Sequence, residues 1–278
     1  MQRVPVYIVS LKDANERRAL ISKHLRGLGI EYELIDAVRG ASLDLKYRNE
    51  VNPAGNMSMG ALGCYLSHIQ IYERMVRQNI PVALILEDDT VLHYSVKDLI
   101  ENGCETLDFD YCFLGSDDCG DEGYVFYDLK KSEKIYNQHH AYLLSSGPYC
   151  SNAYLITFEG AKKRMSCALP ACTAIDHYHF LPYRPRFMAI IPMLAFVNEQ
   201  SAVDSMSSMT WSGLQKVARK HWWYYPLCDI LKLKPLKKFL AIKKTTFPHQ
   251  GYWRPVESAF KVVQEKRYKI KQAASKDV

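Results

Sequence analysis

The sequence predicts an α/β fold, and two observations lead to that prediction. Apolar segments typical of buried strands alternate along the chain with segments of helical periodicity, as in proteins whose helices pack on a largely parallel sheet. A length of 278 residues with 48% hydrophobic residues is also enough for one large α/β domain with an appendage. The same composition argues against a wholly disordered or fibrous chain.

The first elements form a β-α-β unit. Residues 4–11 are rich in β-branched side chains and predict a strand, and residues 32–38 predict a second one. Between them, residues 14–30 predict a helix that is ended by Gly27 and Gly29. The apolar face of this helix is expected to consist of Ala19, Leu20, Leu25 and Leu28. The connection is long enough for a parallel crossover, so we expect the two strands to be parallel.

The remaining elements continue the alternation. A helix over 57–78 has Ser58 as its expected cap, and a strand over 81–92 contains the continuous apolar run of a buried parallel strand. Beyond it we expect strands over 110–116, 151–158 and 186–197, and a helix over 159–169. The body of the protein is thus predicted to be one α/β domain over 1–207.

From about residue 208 the pattern changes to basic and aromatic segments, which we interpret as a mainly helical C-terminal extension over 208–278. Residues 215–278 hold 16 Lys and Arg against 4 Asp and Glu, whereas the rest of the chain is net acidic. Basic helices with apolar faces bind anionic membrane surfaces, so peripheral contact with a membrane is expected. The alternative is a helix packed on the body through its aromatic side chains. No nucleic-acid-binding motif accompanies the charge, so no nucleic-acid partner is expected.

The eight cysteines lack the spacing of a zinc site, and we expect reduced thiols in a cytoplasmic protein. The N-terminus lacks the pattern of a signal peptide. The longest apolar stretch, over 187–197, is interrupted by Pro192 and is shorter than the roughly 18–20 residues that a membrane-spanning helix needs. The sequence therefore predicts a soluble or peripheral protein.

Three consecutive acids, Glu87, Asp88 and Asp89, follow an apolar strand directly. Burying three carboxylates together is costly unless hydrogen bonds or a cation compensate their charge. Mg²⁺ and Mn²⁺ take carboxylate and phosphate oxygens, and open α/β sheets bind ligands at the carboxyl ends of their strands. We therefore predict a cation and phosphate site here. A solvated acidic turn or a helix N-terminus is the alternative.

Five segments occur in the order and spacing of one known family. They are VYIVSLKDANERR (6–18), GALGCYLSH (60–68), ALILEDDTVL (83–92), SGPYCSNAYLITFEGAKK (146–163) and AID (174–176). Through these segments the chain resembles glycosyltransferase family 25, and in particular its bacterial lipooligosaccharide galactosyltransferases. The resemblance covers roughly residues 4–205. It is specific as a combination, since each segment alone is a weak signal.

The resemblance implies a GT-A-like fold, which is a single α/β nucleotide-binding domain, and a metal-dependent reaction with a UDP-sugar donor, UDP-galactose first. In this family the EDD sequence, here Glu87, Asp88 and Asp89, serves as the metal-binding DxD motif. Asp89 is then a metal ligand, Asp88 contacts the ribose or the metal, and Glu87 belongs to the donor site. An Mn²⁺ or Mg²⁺ ion on the diphosphate would stabilise the charge that the UDP leaving group develops.

Residues near the first strand are further candidates for the donor site. Val9, Ser10 and Leu11 end that strand at the ligand-binding edge, where they can contact the uracil, ribose or diphosphate. Arg17 and Arg18 lie near the start of the next helix, and a guanidinium can donate two parallel hydrogen bonds to a phosphate. The alternative is that one of the two arginines simply faces solvent.

The resemblance also marks residues later in the chain. Ser67 and His68 match the family's SH pair. His68 then either contacts the donor or orients the acidic loop, and a buried structural histidine is the alternative. Gln200 and Ser201 match a late Gln and Ser that could close over the donor, and a polar loop after a strand is their alternative.

The catalytic base implied by the resemblance is Asp176. Inverting transfer needs a group that takes the proton of the acceptor hydroxyl as that oxygen attacks the anomeric carbon. The family has a proline two positions before this aspartate, and here Ala174 replaces it. A helix-capping role is the alternative for Asp176. The other candidates for the base are His177, His179, Asp117 and Asp118.

Together these observations predict transfer of galactose, with inversion and a β-linkage, from a UDP-sugar to a lipooligosaccharide at the cytoplasmic face of the inner membrane. Two other classes remain open. One is a non-catalytic nucleotide-sugar or carbohydrate-binding protein of the same fold. The other is a metal-dependent phosphoryl or nucleotidyl transferase.

Overall fold

Helices and strands alternate along the described chain, and the predicted α/β class is confirmed. The computed structural model describes residues 4–102, 104, 107–115, 126–135, 139–144, 147–148, 151–191, 193–197 and 253–255. The helices are α1 (Asn15–Gly27), α2 (Leu45–Val51), α3 (Met59–Gln78), α4 (Ser95–Asn102) and α5 (Phe158–Met165), with short 3-10 helices at Gly40–Ser42 and Tyr178–Phe180. The strands are β1 (Val6–Ser10), β2 (Glu33–Asp36), β3 (Val82–Glu87), β4 (Thr90–Leu92), β5 (Tyr111–Phe113), β6 (Phe126–Lys134), β7 (His140–Leu144), β8 (Ala153–Thr157), β9 (Phe187–Ile191), β10 (Ala195–Val197) and β11 (Trp253–Pro255).

Nine strands form one mixed sheet in the order β11-β6-β7-β9-β5-β8-β3-β1-β2. The predicted β-α-β unit is present, because β1 is parallel to β2 and also to β3. Strand β8 is antiparallel to both β3 and β5, while β5 and β9 are parallel. Strands β4 and β10 form a separate antiparallel pair. The expectation of a largely parallel sheet is thus correct at the β2-β1-β3 end and too simple beyond it.

Helices cover both faces of the sheet around β1. Tyr7 and Val9 pack into a core cluster that includes residues of α3 and α5, whereas Val6 and Ile8 pack into a second cluster with residues of α1 and α4. Successive side chains of a strand point to opposite faces, so every residue of β1 is buried. Full burial of one such apolar side chain contributes about 1.5–3 kcal/mol. This burial holds the end of β1 in place, and the candidate site lies at that end.

Two predicted strands are each divided in the structure. The segment 81–92 stops at the end of β3, and the chain turns at Asp88 and Asp89 before β4 pairs with β10. The segment 186–197 is likewise divided into β9 and β10. Both divisions lie where the chain leaves the main sheet for the second one, and the strands on both sides are largely buried. Glu87 therefore ends β3, and Asp88 and Asp89 occupy a turn, which we call the acidic turn.

The ends of α1 and α3 follow the predicted signals, but the buried face of α1 does not. Ser58 caps α3 by accepting a 3.1 Å hydrogen bond from a backbone N–H of the first turn. After α1 the chain passes through Gly29 with a positive φ of 66°. Ile21 and Leu25, four residues apart, are buried, while Leu20 is half exposed. The prediction that Ala19 and Leu20 lie on the apolar face was wrong, since both are exposed, whereas the predicted Leu25 and Leu28 pack against the core.

The predicted C-terminal extension lies almost entirely outside the described residues. Within it the structure describes Trp253–Pro255 as β11, which is antiparallel to β6. The division into 1–207 and 208–278 stays a prediction. Among the described helices, none combines the length and the apolar character needed to cross a membrane.

Candidate active site

The strands β1 and β3 end side by side. They are parallel, and Val9 lies opposite Glu87 in the register, so the residues that follow the two strands meet at one edge of the sheet. There Ser10 Oγ donates a 2.6 Å hydrogen bond to Asp88 Oδ2. The structure therefore brings the end of the first strand into contact with the acidic turn.

Arg17, in the first turn of α1, bridges the two aspartates of this turn. Its Nη2 lies 2.7 Å from Asp88 Oδ1 and 2.7 Å from Asp89 Oδ2. The side chains of Asp88 and Asp89 are nearly buried. Hydrogen bonds between an ionised donor and an ionised acceptor are the strong ones, so this bridge holds the turn against α1.

Arg18 connects the ends of β1 and β2. Its Nη2 donates a 2.7 Å hydrogen bond to the carbonyl oxygen of Ser10 and lies 2.6 Å from Asp36 Oδ1. Both neighbouring arginines thus have carboxylate partners. The alternative that one of them simply faces solvent is wrong, because α1 begins beside two strand ends that each supply an acid.

A cavity of about 210 Å³ opens beside these residues. Of the predicted donor-site residues, its lining includes Ser10, Leu11, Arg17, Ser67, Glu87, Asp88 and Asp89. On another wall α3 approaches the 3-10 helix Gly40–Ser42 so closely that a Cβ on Gly40 would overlap the carbonyl oxygen of Met59. A Cβ on Gly63 would overlap that of Val38. Because glycine has no Cβ, Gly40 and Gly63 allow the backbones of the two elements to pack directly against each other at this wall of the cavity.

Glu87 and the two aspartates of the turn differ in how strongly they hold a proton. Burial, together with the charges of Glu87 and Asp88, raises the pKa of Asp89 to about 7. Burial also raises the pKa of Asp88. Burial acts on Glu87 in the same direction, but His68 and the hydrogen bond from Ser151 outweigh it and lower the pKa of this carboxyl. The turn therefore concentrates negative charge in a poorly solvated place, which favours binding of a cation.

The residues of the turn fit a hard divalent cation. Asp89 Oδ1 is buried and has no hydrogen-bond partner among the described residues, so this oxygen is available as a ligand. Mg²⁺ and Mn²⁺ bind through one or two carboxylates and complete their coordination with water and phosphate oxygens. Arg17 contacts two further oxygens of Asp88 and Asp89 and would share or release them when a cation binds.

His68 supports the acidic turn from within the core. Its side chain is fully buried, Nε2 lies 3.8 Å from Glu87 Oε1, and Nδ1 shares a 2.6 Å hydrogen bond with the Tyr154 hydroxyl. Ser151 Oγ donates a 2.6 Å hydrogen bond to the same Glu87 oxygen. Of the two roles predicted for His68, the geometry favours orientation of the acidic loop over contact with a donor.

Ser67 lines the cavity, but its hydroxyl already has two partners. It accepts a 2.8 Å hydrogen bond from the backbone N–H of Val38 and donates a 2.6 Å hydrogen bond to the carbonyl oxygen of Gly63. These bonds hold the segment after β2 against α3. Ser67 thus shapes the wall of the cavity, and a further contact from its hydroxyl oxygen to a donor stays a prediction.

The predicted base, Asp176, is half-buried in a turn before the 3-10 helix Tyr178–Phe180. Its neighbours Ile175 and Tyr178 are buried in the core, which anchors the turn. Asp176 is not among the described residues that line the cavity. Its role as a base therefore stays a prediction.

The other late candidates are only partly described. His177 is buried, and its Nδ1 shares a 2.8 Å hydrogen bond with Thr173 Oγ1, so this imidazole has a structural partner. Asp117, Asp118, Gln200, Ser201 and the side chain of His179 lie outside the described residues.

Several residues at the site were not predicted. Asp36 follows the same rule as the acidic turn, since it ends a parallel strand at the ligand-binding edge, and the sequence contained that signal. Ser151 and Tyr154 lie in a motif segment, but nothing local shows that they contact Glu87 and His68. Those contacts depend on β8 lying next to β3, which is a long-range pairing.

Comparison with known proteins places this chain in a family. The family described as glycosyltransferase family 25 (LPS biosynthesis protein) matches residues 3–179. A glycosyltransferase 25 family member of Anopheles gambiae is 30% identical over 175 residues, which are 57% of this chain and 28% of that protein. Procollagen galactosyltransferase 1-A of Xenopus laevis is 26% identical over 193 residues, which are 64% of this chain and 30% of that protein.

A bacterial protein is similar over a larger part of its own length. It is a protein of Haemophilus influenzae whose name assigns it provisionally to the glycosyltransferases, 26% identical over 191 residues, which are 64% of this chain and 65% of that protein. This chain thus spans less than a third of the two animal relatives and about two thirds of the bacterial one. The family match includes β1, α1, α3, the acidic turn and the turn of Asp176. On this match, which extends over more than half of its length, the chain belongs to glycosyltransferase family 25.

Proposed function

We propose that this protein is a metal-dependent glycosyltransferase that transfers a sugar from a UDP-sugar to a saccharide acceptor. The observation that carries the proposal is the acidic turn of Asp88 and Asp89, which lines a cavity at the carboxyl ends of two parallel strands. Asp89 Oδ1 supports it, because this oxygen is buried and has no hydrogen-bond partner within the described part of the chain, and such burial is costly unless a ligand uses the oxygen.

Asp88 and Asp89 would hold the divalent cation of this reaction. When bound, an Mn²⁺ or Mg²⁺ ion supplies positive charge against the diphosphate of the leaving UDP. Arg17 lies beside the same oxygens and would place its guanidinium against a phosphate once a cation takes over Asp88 and Asp89. Ser10 orients Asp88 through its hydroxyl, and Arg18 orients Ser10 through its carbonyl oxygen.

Asp176 is our candidate for the base. An oxygen of the acceptor hydroxyl would bond to the anomeric carbon while the bond from that carbon to the UDP oxygen breaks, and the hydroxyl proton would pass to the Asp176 carboxylate. Such a single displacement inverts the anomeric centre, so an α-linked donor sugar gives a β-linked product. His68 and Ser151 contribute indirectly, by orienting Glu87 at the edge of the site.

We propose UDP-galactose as the donor and a lipooligosaccharide as the acceptor. Similarity to a procollagen galactosyltransferase supports the sugar, and the description of the family as LPS biosynthesis proteins supports the acceptor. The excess of lysine and arginine in 215–278 supports peripheral contact with the cytoplasmic face of the inner membrane, where a lipid-linked acceptor is available.

The experiment is a transfer assay with a panel of UDP-sugars and a lipooligosaccharide acceptor, with Mn²⁺ and with EDTA. We expect release of UDP and a new galactoside with Mn²⁺, and neither with EDTA or in Asp89→Asn. Asp108→Asn is the matched control, because Asp108 is an exposed aspartate in an ion pair with Arg186. Asp176→Asn should lose turnover and keep UDP binding.

Three results would overturn the proposal. Transfer that survives both EDTA and Asp89→Asn removes the role of the metal. A protein that binds UDP-sugars but turns over no acceptor is a binding protein of the same fold. Formation of pyrophosphate or a phosphorylated product in place of UDP indicates a phosphoryl or nucleotidyl transferase.

A further inference from the structure

A thiol, an imidazole and a carboxylate converge next to the acidic turn. They belong to Cys64, His68 and Glu87, and one potential ligand atom of each lies within 4.8 Å of the other two. Cys64 and His68 are four residues apart on α3 and so share one face of the helix, while Glu87 comes from the end of β3. The expectation that the cysteines lack the spacing of a zinc site overlooked this Cys64–His68 pair, and the third ligand could not be predicted because Glu87 comes from another element.

An independent observation points to a ligand position between these groups. His68 is fully buried, and its Nε2 has no hydrogen-bond partner among the described residues. Its distance of 3.8 Å from Glu87 Oε1 is too long for a hydrogen bond. A buried nitrogen without a hydrogen-bond partner is destabilising, so a ligand at this position would stabilise the fold.

The surrounding hydrogen bonds prepare His68 and Glu87 as ligands. If the Nδ1–H of His68 donates to the Tyr154 hydroxyl at 2.6 Å, the lone pair of Nε2 points away from that bond and is free to coordinate. The Tyr154 hydroxyl can in turn donate a hydrogen bond to the Tyr72 hydroxyl 2.5 Å away. Ser151 donates to Glu87 Oε1 at 2.6 Å and fixes this carboxylate. Partners of this kind are what orient the ligands of metal sites.

We propose that Cys64, His68 and Glu87 form a second metal site, one that binds a zinc-class divalent ion. Thiolate and imidazole ligands favour Zn²⁺, whereas the oxygens of Asp88 and Asp89 favour Mn²⁺ or Mg²⁺, so the two sites differ in the ions they select. In a tetrahedral Zn²⁺ site the nitrogen and oxygen ligands lie about 3.3 Å apart, so the 3.8 Å separation of Nε2 and Oε1 requires only a small adjustment.

The proposed site has three protein ligands and one open position. Cys64 and Glu87 both line the cavity, whereas His68 closes the site on the core side. A zinc site with three protein ligands keeps its fourth position for water or an incoming ligand. An ion there would fix Glu87 and add positive charge next to the acidic turn. The proposal does not depend on which sugar or acceptor the protein uses.

The test is a titration of the metal-free full-length protein with Co²⁺, which replaces Zn²⁺ and reports its ligands by absorption. We expect a thiolate-to-cobalt charge-transfer band in the near ultraviolet and the intense visible bands of tetrahedral cobalt. Cys64→Ser should remove the thiolate band, and His68→Gln should weaken Co²⁺ binding at least about tenfold. Cys167→Ser, a change to a half-exposed cysteine after α5, should leave both features intact. Asp89→Asn should also leave them intact.

A thiolate band that persists in Cys64→Ser, or that never forms in the wild type, overturns the proposal. Loss of the band in Cys167→Ser does the same. Because His68 is buried and its variant can fail to fold, a second measurement uses the unmodified protein. Saturating Zn²⁺ should protect Cys64 from alkylation, as located by peptide mass spectrometry. Alkylation of Cys64 at the same rate with and without Zn²⁺ rules the site out.

Discussion

Arg17 is the positively charged group in contact with the acidic turn, so Arg17→Ala measures how much this contact contributes to the free energy of unfolding. Its Nη2 lies 2.7 Å from Asp88 and from Asp89, whose side chains are 9% and 12% exposed, while Arg17 is 29% exposed. Removing one partner of a buried pair costs about 3–5 kcal/mol, and exposed pairs contribute about 0–1 kcal/mol. We place Arg17→Ala between these limits, at a loss of about 1–3 kcal/mol in the free energy of unfolding.

Thermal unfolding in EDTA measures this loss. For a protein of this size, 1 kcal/mol corresponds to about 2–4 °C in Tm, so Arg17→Ala should lower Tm by roughly 2–12 °C. The matched control is Arg74→Ala. Arg74 is 30% exposed and lies 2.6 Å from Glu33, but Glu33 is 50% exposed, so this pair should contribute only about 0–1 kcal/mol.

Mn²⁺ should then stabilise Arg17→Ala more than the wild type, because in the variant no guanidinium competes for the carboxylates. A cation at one hundred times its Kd stabilises the folded protein by about 2.7 kcal/mol. The reasoning is refuted if Arg17→Ala and Arg74→Ala lose equal stability in EDTA. It is also refuted if Mn²⁺ raises the Tm of the wild type and of Arg17→Ala by the same amount.

Three further predictions concern the stability of the fold. Gly63→Ala should lower the free energy of unfolding by about 1–3 kcal/mol, because the new Cβ would overlap the carbonyl oxygen of Val38. Gly27→Ala should raise it by about 0.4–1 kcal/mol, since its Cβ would meet no described atom within 4 Å, and chemical denaturation distinguishes the two. Burial lowers the pKa of His177 from 6.5, so below that pH the unfolded chain binds a proton that the folded protein does not. Stability should therefore fall as pH decreases below 6.5, and this slope should be smaller in His177→Asn; an unchanged slope would show that His177 does not cause it.

The elements that could be predicted from the sequence are those with local signals. The first β-α-β unit follows from strand and helix periodicity, and the cap at Ser58 follows from a side chain that reaches its own helix. The break after Glu87 and the insertion of β8 between β3 and β5 could not be predicted. Both depend on which strands pair across long stretches of chain, and a buried apolar run has the same appearance in a parallel or an antiparallel strand.

The candidate site likewise contains residues that the sequence could predict and contacts that it could not. The acidic turn and Ser10 were predictable, because Ser10 ends β1 and the turn follows β3, and both strand ends lie at the ligand-binding edge. For Arg17 the sequence predicted contact with a phosphate but not the contacts with both aspartates. Those contacts depend on where α1 begins relative to β3. The contacts of Glu87 with His68 and Ser151 join three separate elements, and no local pattern connects them.

The affinity for UDP, measured by isothermal titration calorimetry with Mn²⁺ and again with EDTA, tests most directly whether the turn of Asp88 and Asp89 binds a cation under a diphosphate. We predict that Mn²⁺ strengthens UDP binding at least about tenfold, or about 1.4 kcal/mol. Asp89→Asn should abolish this gain, and Asp108→Asn should retain it. UDP binding of equal strength with Mn²⁺ and with EDTA, or a gain that survives Asp89→Asn, would contradict the account.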